Sequence, residues 1–512
     1  MVKKVRNISK TISYLGAIII ILPLIFLLLN LNEQSPSFSL IVEHVLFSVI
    51  TNTLLLMFLT IVTTTIIGVY FAILTSLYDF PFKKLVHVLL ILPMAIPPYI
   101  AAFNYAHLLS FMGPVQTFLR TFNFNMANFS IMNIFGAVFI FTITLYPYVY
   151  LICRVYLKNH SRSIVESAAI LGGARKFFVI IKLLTPSIIS GTTLVALEVM
   201  NDIGVSHYFG IRTLSNLIFQ AHNQMFDVSL ASRISLTAIV IAFVYIFTSR
   251  ILINDKKYVA QSRSRPIKPI KLKRFVFPLI PVFIVISIAF LVPVVYMVYM
   301  VDISNLNVAH LFTLTLNTIK IALLTSLIII FFALIIVNYA RFCSKKEKSF
   351  LKITNLGYAI PSTILAIGTI SLFSFIANFG FSFGFSITML VFAYVIKYFS
   401  LGYLLIERAF EKNGKIYTES SKMSGRGDFM TFIKVDIFTI KNGLIGAFLL
   451  IFIDIVKELP LTLILRSFNF ETLSTRIYMF AANEQIPNSA PFSLVIVFIC
   501  TIFIVLLGDK NG

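Results

Sequence analysis

Two segments of the chain repeat one arrangement of an acid, small residues and a glycine. The first reads Glu166-Ser167-Ala168-Ala169-Ile170-Leu171-Gly172, followed by Phe177, Phe178, Ile181 and Pro186; the second reads Glu419-Ser420-Ser421-Lys422-Met423-Ser424-Gly425, followed by Phe429, Phe432 and Ile433. An acid, small residues on the next turn, a glycine and then an amphipathic run spell two short helices meeting at a turn. Such an elbow can offer one face to a partner protein and push on the helix behind it. Either copy alone also fits an ordinary amphipathic surface pair with a capping glycine. A second set, Glu198, Asp202, Asp454, Lys457 and Glu458, lies near the ends of apolar runs, with Gly204, Pro460 and Arg466 close behind. Charges at that depth cost several kcal/mol unless they meet partners or water.

These groups gate and line a path through the membrane, or they form a static network: Asp454 and Lys457 stand three apart and can pair on one helix face. Lys397, well inside an apolar run, lines the path, pairs with an inward acid or snorkels to the interface. His207 beside Tyr208, and His222, carry metal-ligand chemistry. No further ligand stands at a suitable spacing, so no metal site is expected. Cys153, Cys343 and Cys500 form neither a CxxC nor a zinc pattern. There is no GxxxxGK[ST], HExxH or GxSxG and no paired catalytic carboxylates, so neither nucleotide cradling by a P-loop nor hydrolytic chemistry is expected of this chain.

The elements that must position these residues follow from composition. Of 512 residues 58% are hydrophobic and 12% charged, with a mean hydropathy of +0.94, which excludes a water-facing globule for most of the length. A net charge of +22 could mark a nucleic-acid binder in a soluble protein. Here the basic residues sit in short segments between apolar runs, as the positive-inside rule places them, so no nucleic-acid partner is expected. Runs of about 20 residues, enough to cross the hydrocarbon, lie near 11–30, 50–76, 84–110, 131–153, 183–203 and 229–251, then near 275–300, 312–338, 350–376, 385–407, 438–460 and 490–507. The first follows Lys3, Lys4, Arg6 and Lys10 but is too long for a signal peptide and lacks a small-residue cleavage site, so it reads as a retained anchor. The charge bias puts both termini in the cytoplasm.

The expected fold is an all-α polytopic membrane protein with about twelve transmembrane helices in two homologous six-helix halves. Residues 1–253 form the first half, with its elbow at about 160–182; 254–274, basic and carrying Pro266 and Pro269, form a cytoplasmic linker. Residues 275–512 form the second half, with its elbow at about 412–436. Three further matches keep their order: Asn52-Thr53 with Asn317-Thr318, Ala95-Ile96-Pro97 with Ala359-Ile360-Pro361, and Thr213-Leu214-Ser215 with Thr472-Leu473-Ser474. With an even number of spans the halves point the same way and should pack as a pseudo-dimer with a pathway between them. Pro97-Pro98 and Pro361 interrupt the third span of each half, as a hinge or as a packing bend; the bend is the expectation.

The doubled elbow resembles the coupling loop, or EAA signature, of type I permeases in binding-protein-dependent ABC importers, where it docks into a groove on the ATPase. Ser167 and Ser420 stand where the signature has its first alanine, and Thr439 stands where the first copy has Pro186. The stretches Glu198 to Gly204 and Tyr208 to Thr213, and Asp454 to Pro460 with Arg466, Phe468-Asn469-Phe470 and Thr472-Leu473-Ser474, look like the fused permeases of the ferric-iron importer family, which has thiamine and organophosphonate relatives. This resemblance covers nearly the whole chain. It implies ATPase coupling by Glu166, Ala168, Gly172, Glu419, Ser421 and Gly425. It also implies two copies of a cytoplasmic ABC ATPase holding ATP-Mg, no cofactor on this chain, an external or periplasmic solute-binding protein, and a place in the bacterial cytoplasmic membrane. Ferric iron is the expected cargo, with thiamine, an organophosphonate or another small solute as alternatives; the rival mechanism is an ion-coupled secondary transporter.

Overall fold

The computed structural model describes residues 2–122, 130–159, 173–253, 270–271, 275–304, 306–380, 385–414 and 416–511. These are helical apart from loops and one two-residue parallel pairing of Tyr78–Asp79 with Ile270–Lys271. Among the described residues nine helices are long and apolar enough to cross a membrane, beginning with Ser9–Asn32 and ending with Ile486–Leu506. Two bent helix pairs, Lys83–Ala95 with Pro98–Leu108 at 86° and Asp428–Thr439 with Lys441–Lys457 at 72°, bring the candidate spans to eleven if each pair counts as one, and Ser362–Ala377 is a shorter apolar helix. Every one of the twelve apolar runs thus has a helical counterpart, but three are not straight, full-length spans.

Proline chemistry explains two of these. The 3-10 turn Leu92–Ala95 gives way to extended Ile96 (φ −97°, ψ 109°) and Pro97 (φ −55°, ψ 143°), and the helix restarts at Pro98. A proline disfavours helical geometry in the residue before it, while proline at a first helical position loses nothing because that N–H has no partner in any case. The second half repeats the break with Ile360 (φ −85°, ψ 124°) and Pro361 (φ −54°, ψ 141°), after which Ser362–Ala377 begins. These prolines end one helix and start another, which is a larger departure than the packing bend expected.

Contacts divide the chain into two compact units, each drawing on both sides of residues 254–274: Met1–Phe38, Ile218–Leu236 and Asn307–Thr475 in one, and Ser39–Leu217, Thr237–Leu306 and Arg476–Gly512 in the other. In the former, the N-terminal helix Val2–Leu29 packs on Ser362–Ala377 and Val308–Ala340. Tyr14 stacks on Phe350 and Phe26 meets Phe375, both at 4.9 Å between ring centres, and the Asn30 amide donates to Ser371 Oγ at 2.5 Å and Ser232 Oγ at 3.2 Å. In the other unit, Phe47–Leu77, Ile134–Asn159 and Gly173–Asn201 pack together. Lipid removes most of the hydrophobic drive between helices, so close approach over small residues has to hold them. Gly68 and Gly191 supply it on two faces of Val149: a Cβ at Gly68 would stand 2.8 Å from Val149 Cβ, and one at Gly191 2.9 Å from Val149 Cα.

The short sequence matches are used in the same way in both units. Asn52 Nδ2 donates to Arg212 O and Asn317 Nδ2 to Glu471 O, each at 3.3 Å. Thr53 Oγ1 accepts from Leu214 N and Thr318 Oγ1 from Leu473 N, each at 3.0 Å. Ser215 Oγ donates to Met200 O, as Ser474 Oγ does to Val456 O. Each set ties the second helix of its half to the segment following the elbow-linked helix.

Candidate functional site

The second elbow forms as its residue types require. Helix Ile416–Met423 ends at Gly425, whose φ of +79° is a left-handed geometry that a side chain would strain. Gly425 N donates to Lys422 O at 3.0 Å and Arg426 N to Ser421 O at 3.3 Å, so the last carbonyls of the helix are satisfied. The second arm, Asp428–Thr439, follows at once. Small polar residues fill the inner corner: Ser421 Oγ lies 3.1 Å from Thr431 Oγ1, and Thr418 donates to Asp436, all four being buried. Lys422 closes the outside by pairing with Asp428 at 2.6 Å. Glu419 is exposed, and on the same elbow the large apolar side chains Ile416, Tyr417, Met430, Met423 at 90% exposure and Phe429 at 64% are exposed too.

Thr439 stands next to the break at Ile440, where the chain bends by 72°, whereas Pro186 lies inside the helix Gly173–Asn201. The copy with the proline therefore runs on as one helix, and the copy without it breaks. Glu166, Ala168 and Gly172 of the first elbow lie outside the described residues, as does most of the 254–274 linker.

Behind each elbow-linked helix stands a carboxylate that caps a short helix. Asp202 Oδ2 accepts from Val205 N and Ser206 N, each at 3.0 Å, at the start of Gly204–Tyr208. Glu458 Oε1 accepts from Leu461 N at 3.1 Å at the start of Pro460–Leu465. Both satisfy N–H groups that a helix start leaves open, and Gly204 and Pro460 are the first residues of the helices so capped. Glu458 Oε2 also accepts from Lys397 Nζ at 3.1 Å and Tyr398 Oη at 2.9 Å, while Lys397 donates to Ser362. Of the three readings open for Lys397, the structure selects pairing with an inward acid. Asp454 and Lys457 pair at 2.9 Å and Arg466 pairs with Glu471 at 3.3 Å. Glu198 is half-buried one turn before Asp202.

His207 Nδ1 lies 3.0 Å from Tyr478 Oη, and His222 Nδ1 lies 2.6 Å from Asn223 Oδ1. Among the described residues no three His, Cys, Asp or Glu side chains gather as a metal site would need. Sequence reasoning passed over Tyr398 and Ser362, took Arg341 only as a basic loop charge, and passed over Asp436. The last was a readable signal, since an acid in the amphipathic run behind the elbow faces inward at helical spacing from Phe432 and Thr439.

No protein-family model matches the chain. It is 24% identical over 508 residues to the Fe(3+)-transport system permease protein FbpB 2 of Haemophilus influenzae, covering 95% of each chain. It is also 24% identical over 245 residues to the probable sulfate transport system permease protein cysT of Marchantia polymorpha, covering 45% of this chain and 83% of that one. A half-length match that nearly fills the relative fits a duplicated unit. Fold, elbow and relatives define the class: a multi-pass, non-catalytic permease subunit of the ABC importer type. Within that class the chain is a homologue, over 95% of its length, of a protein named as a ferric-iron transport permease.

Proposed function

We propose that this permease forms the translocation path of an ATP-driven ferric-iron importer of the bacterial cytoplasmic membrane, with both termini in the cytoplasm. An external binding protein delivers the cargo, and two copies of a cytoplasmic ATPase, each holding ATP-Mg, dock on the elbows. This chain itself carries no cofactor. Glu166, Ala168 and Gly172 of the first elbow, and Glu419 and Gly425 of the second, serve that docking, with Ser421 shaping the corner from within. ATP binding draws the elbows together and turns the helices behind them; hydrolysis resets them. Glu198, Asp202 and Gly204, and Asp454, Lys457, Glu458, Pro460 and Arg466, form the gate and the lining of the path. The permease needs two states that its partners bias differently rather than high affinity of its own.

The observation that supports this most is the second elbow, whose polar corner is buried while Met423, Phe429 and their apolar neighbours are exposed. Apolar side chains left exposed beside a buried polar corner fit a surface that a partner protein covers. For the cargo, the name of the full-length relative and the two acids Glu198 and Asp202, one turn apart, favour a cation over sulfate. The test is uptake into vesicles holding the permease with its ATPase and binding protein, offered labelled ferric iron or labelled sulfate. ATP-dependent iron uptake supports the proposal; sulfate uptake without iron overturns the cargo, and ATP-independent uptake of either overturns the mechanism.

A further inference from the structure

We infer that Arg341 is a positioning residue that fastens the second elbow to the membrane helix Val308–Ala340, and that the residues aligned with this clamp in the first half cannot form the same ion pair. This rests on the reading of the elbows as ATPase-docking loops.

Arg341 is the first residue beyond Val308–Ala340. Its Nη1 lies 3.5 Å from Asp436 Oδ1 on the second arm, and its Nη2 donates to Thr418 Oγ1 on the first arm at 3.1 Å and to Gly414 O at 3.5 Å. The guanidinium also lies 4.1 Å from the ring centre of Phe410, near the end of the helix Phe385–Asn413. Thr418 gives its own proton to Asp436, so its oxygen is free to accept from Arg341. One cation therefore ties both arms of the elbow and the helix leading into it to the end of another membrane helix. The side chains of Arg341 and Asp436 are only 9% and 5% exposed. A pair so desolvated cannot slip apart without stranding a charge, so displacement of the elbow must carry Val308–Ala340 with it. Only arginine has donors in a fork wide enough to meet carboxylate, hydroxyl and carbonyl together.

The repeat shows what the first half has instead. The register that aligns Asn52-Thr53 with Asn317-Thr318 puts Ser76 at the place of Arg341. The register of the elbows puts Val165 and Leu183 at the places of Thr418 and Asp436. None of these can make an ion pair.

The experiment uses the full chain in vesicles with its ATPase and binding protein. The double variant Arg341→Gln/Asp436→Asn removes both charges and leaves none stranded. It is expected to keep the ATPase at the wild-type ratio on co-purification and to hydrolyse ATP, while cargo moved per ATP falls at least tenfold. Arg341→Lys should fall between, because one ammonium cannot span the same three acceptors. A fall in transport and hydrolysis together, with their ratio unchanged, would mean a merely structural residue and overturn the inference. Should the double variant not insert, hydrogen exchange on the wild type decides: protection of residues 416–439 on ATPase binding must extend to 334–341, and independent exchange overturns the clamp. If the ATPase does not co-purify with the wild type, the docking reading itself fails and takes the clamp with it.

Discussion

Lys397→Met is the most informative single perturbation of the buried network. Methionine keeps the stem of the side chain and removes the ammonium 3.1 Å from Glu458, leaving that carboxylate, 7% exposed, with Tyr398 Oη and Leu461 N as its remaining partners. Removing one partner of a buried pair costs about 3–5 kcal/mol, most of it the penalty of the stranded charge. The two surviving hydrogen bonds offset part of that, so the lower end, about 3 kcal/mol, is expected. Adding Glu458→Gln removes the stranded charge while an amide oxygen can still cap Leu461, and should bring the loss back to within about 1–2 kcal/mol of wild type. Reversible unfolding in mixed detergent micelles measures both variants. A single variant within about 0.5 kcal/mol of wild type, or a double variant less stable than the single one, would refute the reasoning.

Thr53→Val and Thr318→Val each strand a buried backbone N–H, that of Leu214 or Leu473, and should cost about 1–3 kcal/mol in the same unfolding assay, by similar amounts if the repeat is physical. Gly68→Leu drives a side chain against Val149 and the backbone at Tyr150 N, 3.0 Å from the new Cβ, and should lose at least about 1–3 kcal/mol and lower the yield of folded protein. Glu347, which pairs with Lys10 at 3.1 Å, has its pKa lowered from 4.5 to about 2, first by the Ser344 backbone N–H and then by Lys10, Tyr339 and the Ser344 hydroxyl. Because the folded value lies below the unfolded one, its contribution is complete above 4.5 and is lost as the pH falls toward 2. The thermal-stability gap between wild type and Glu347→Gln should therefore hold at pH 6 and shrink through that window.

Local features of this chain were readable because they are written in neighbouring residues. The elbow's turn was legible in Gly425 and Ser421, and Pro97-Pro98 and Pro361 marked where the third span of each half is interrupted, though as a bend and not as a break. Asn52-Thr53 and Thr213-Leu214-Ser215 were visible as repeated words, and the structure joins them as the two ends of one set of hydrogen bonds. What stayed hidden were partners set by packing. Nothing in the sequence links Lys397 to Glu458, or Arg341 to Asp436, because each pair joins separate helices. The place of the N-terminal helix against Ser362–Ala377 was equally hidden, since in lipid a packing face and a lipid face are both apolar. The difference between Pro186 and Thr439 did not foretell where the chain bends: Pro186 sits in an unbroken helix, and the break falls beside Thr439.

The central claim is that the two elbows convert ATP hydrolysis into movement of cargo. Its most direct test compares ATP-dependent uptake of labelled ferric iron by vesicles carrying wild-type chain with uptake by the Glu166→Ala/Glu419→Ala double variant, with insertion of both checked. Uptake by the wild type and its loss in the variant is the expected result. Normal uptake by a variant lacking both acids would contradict the claim.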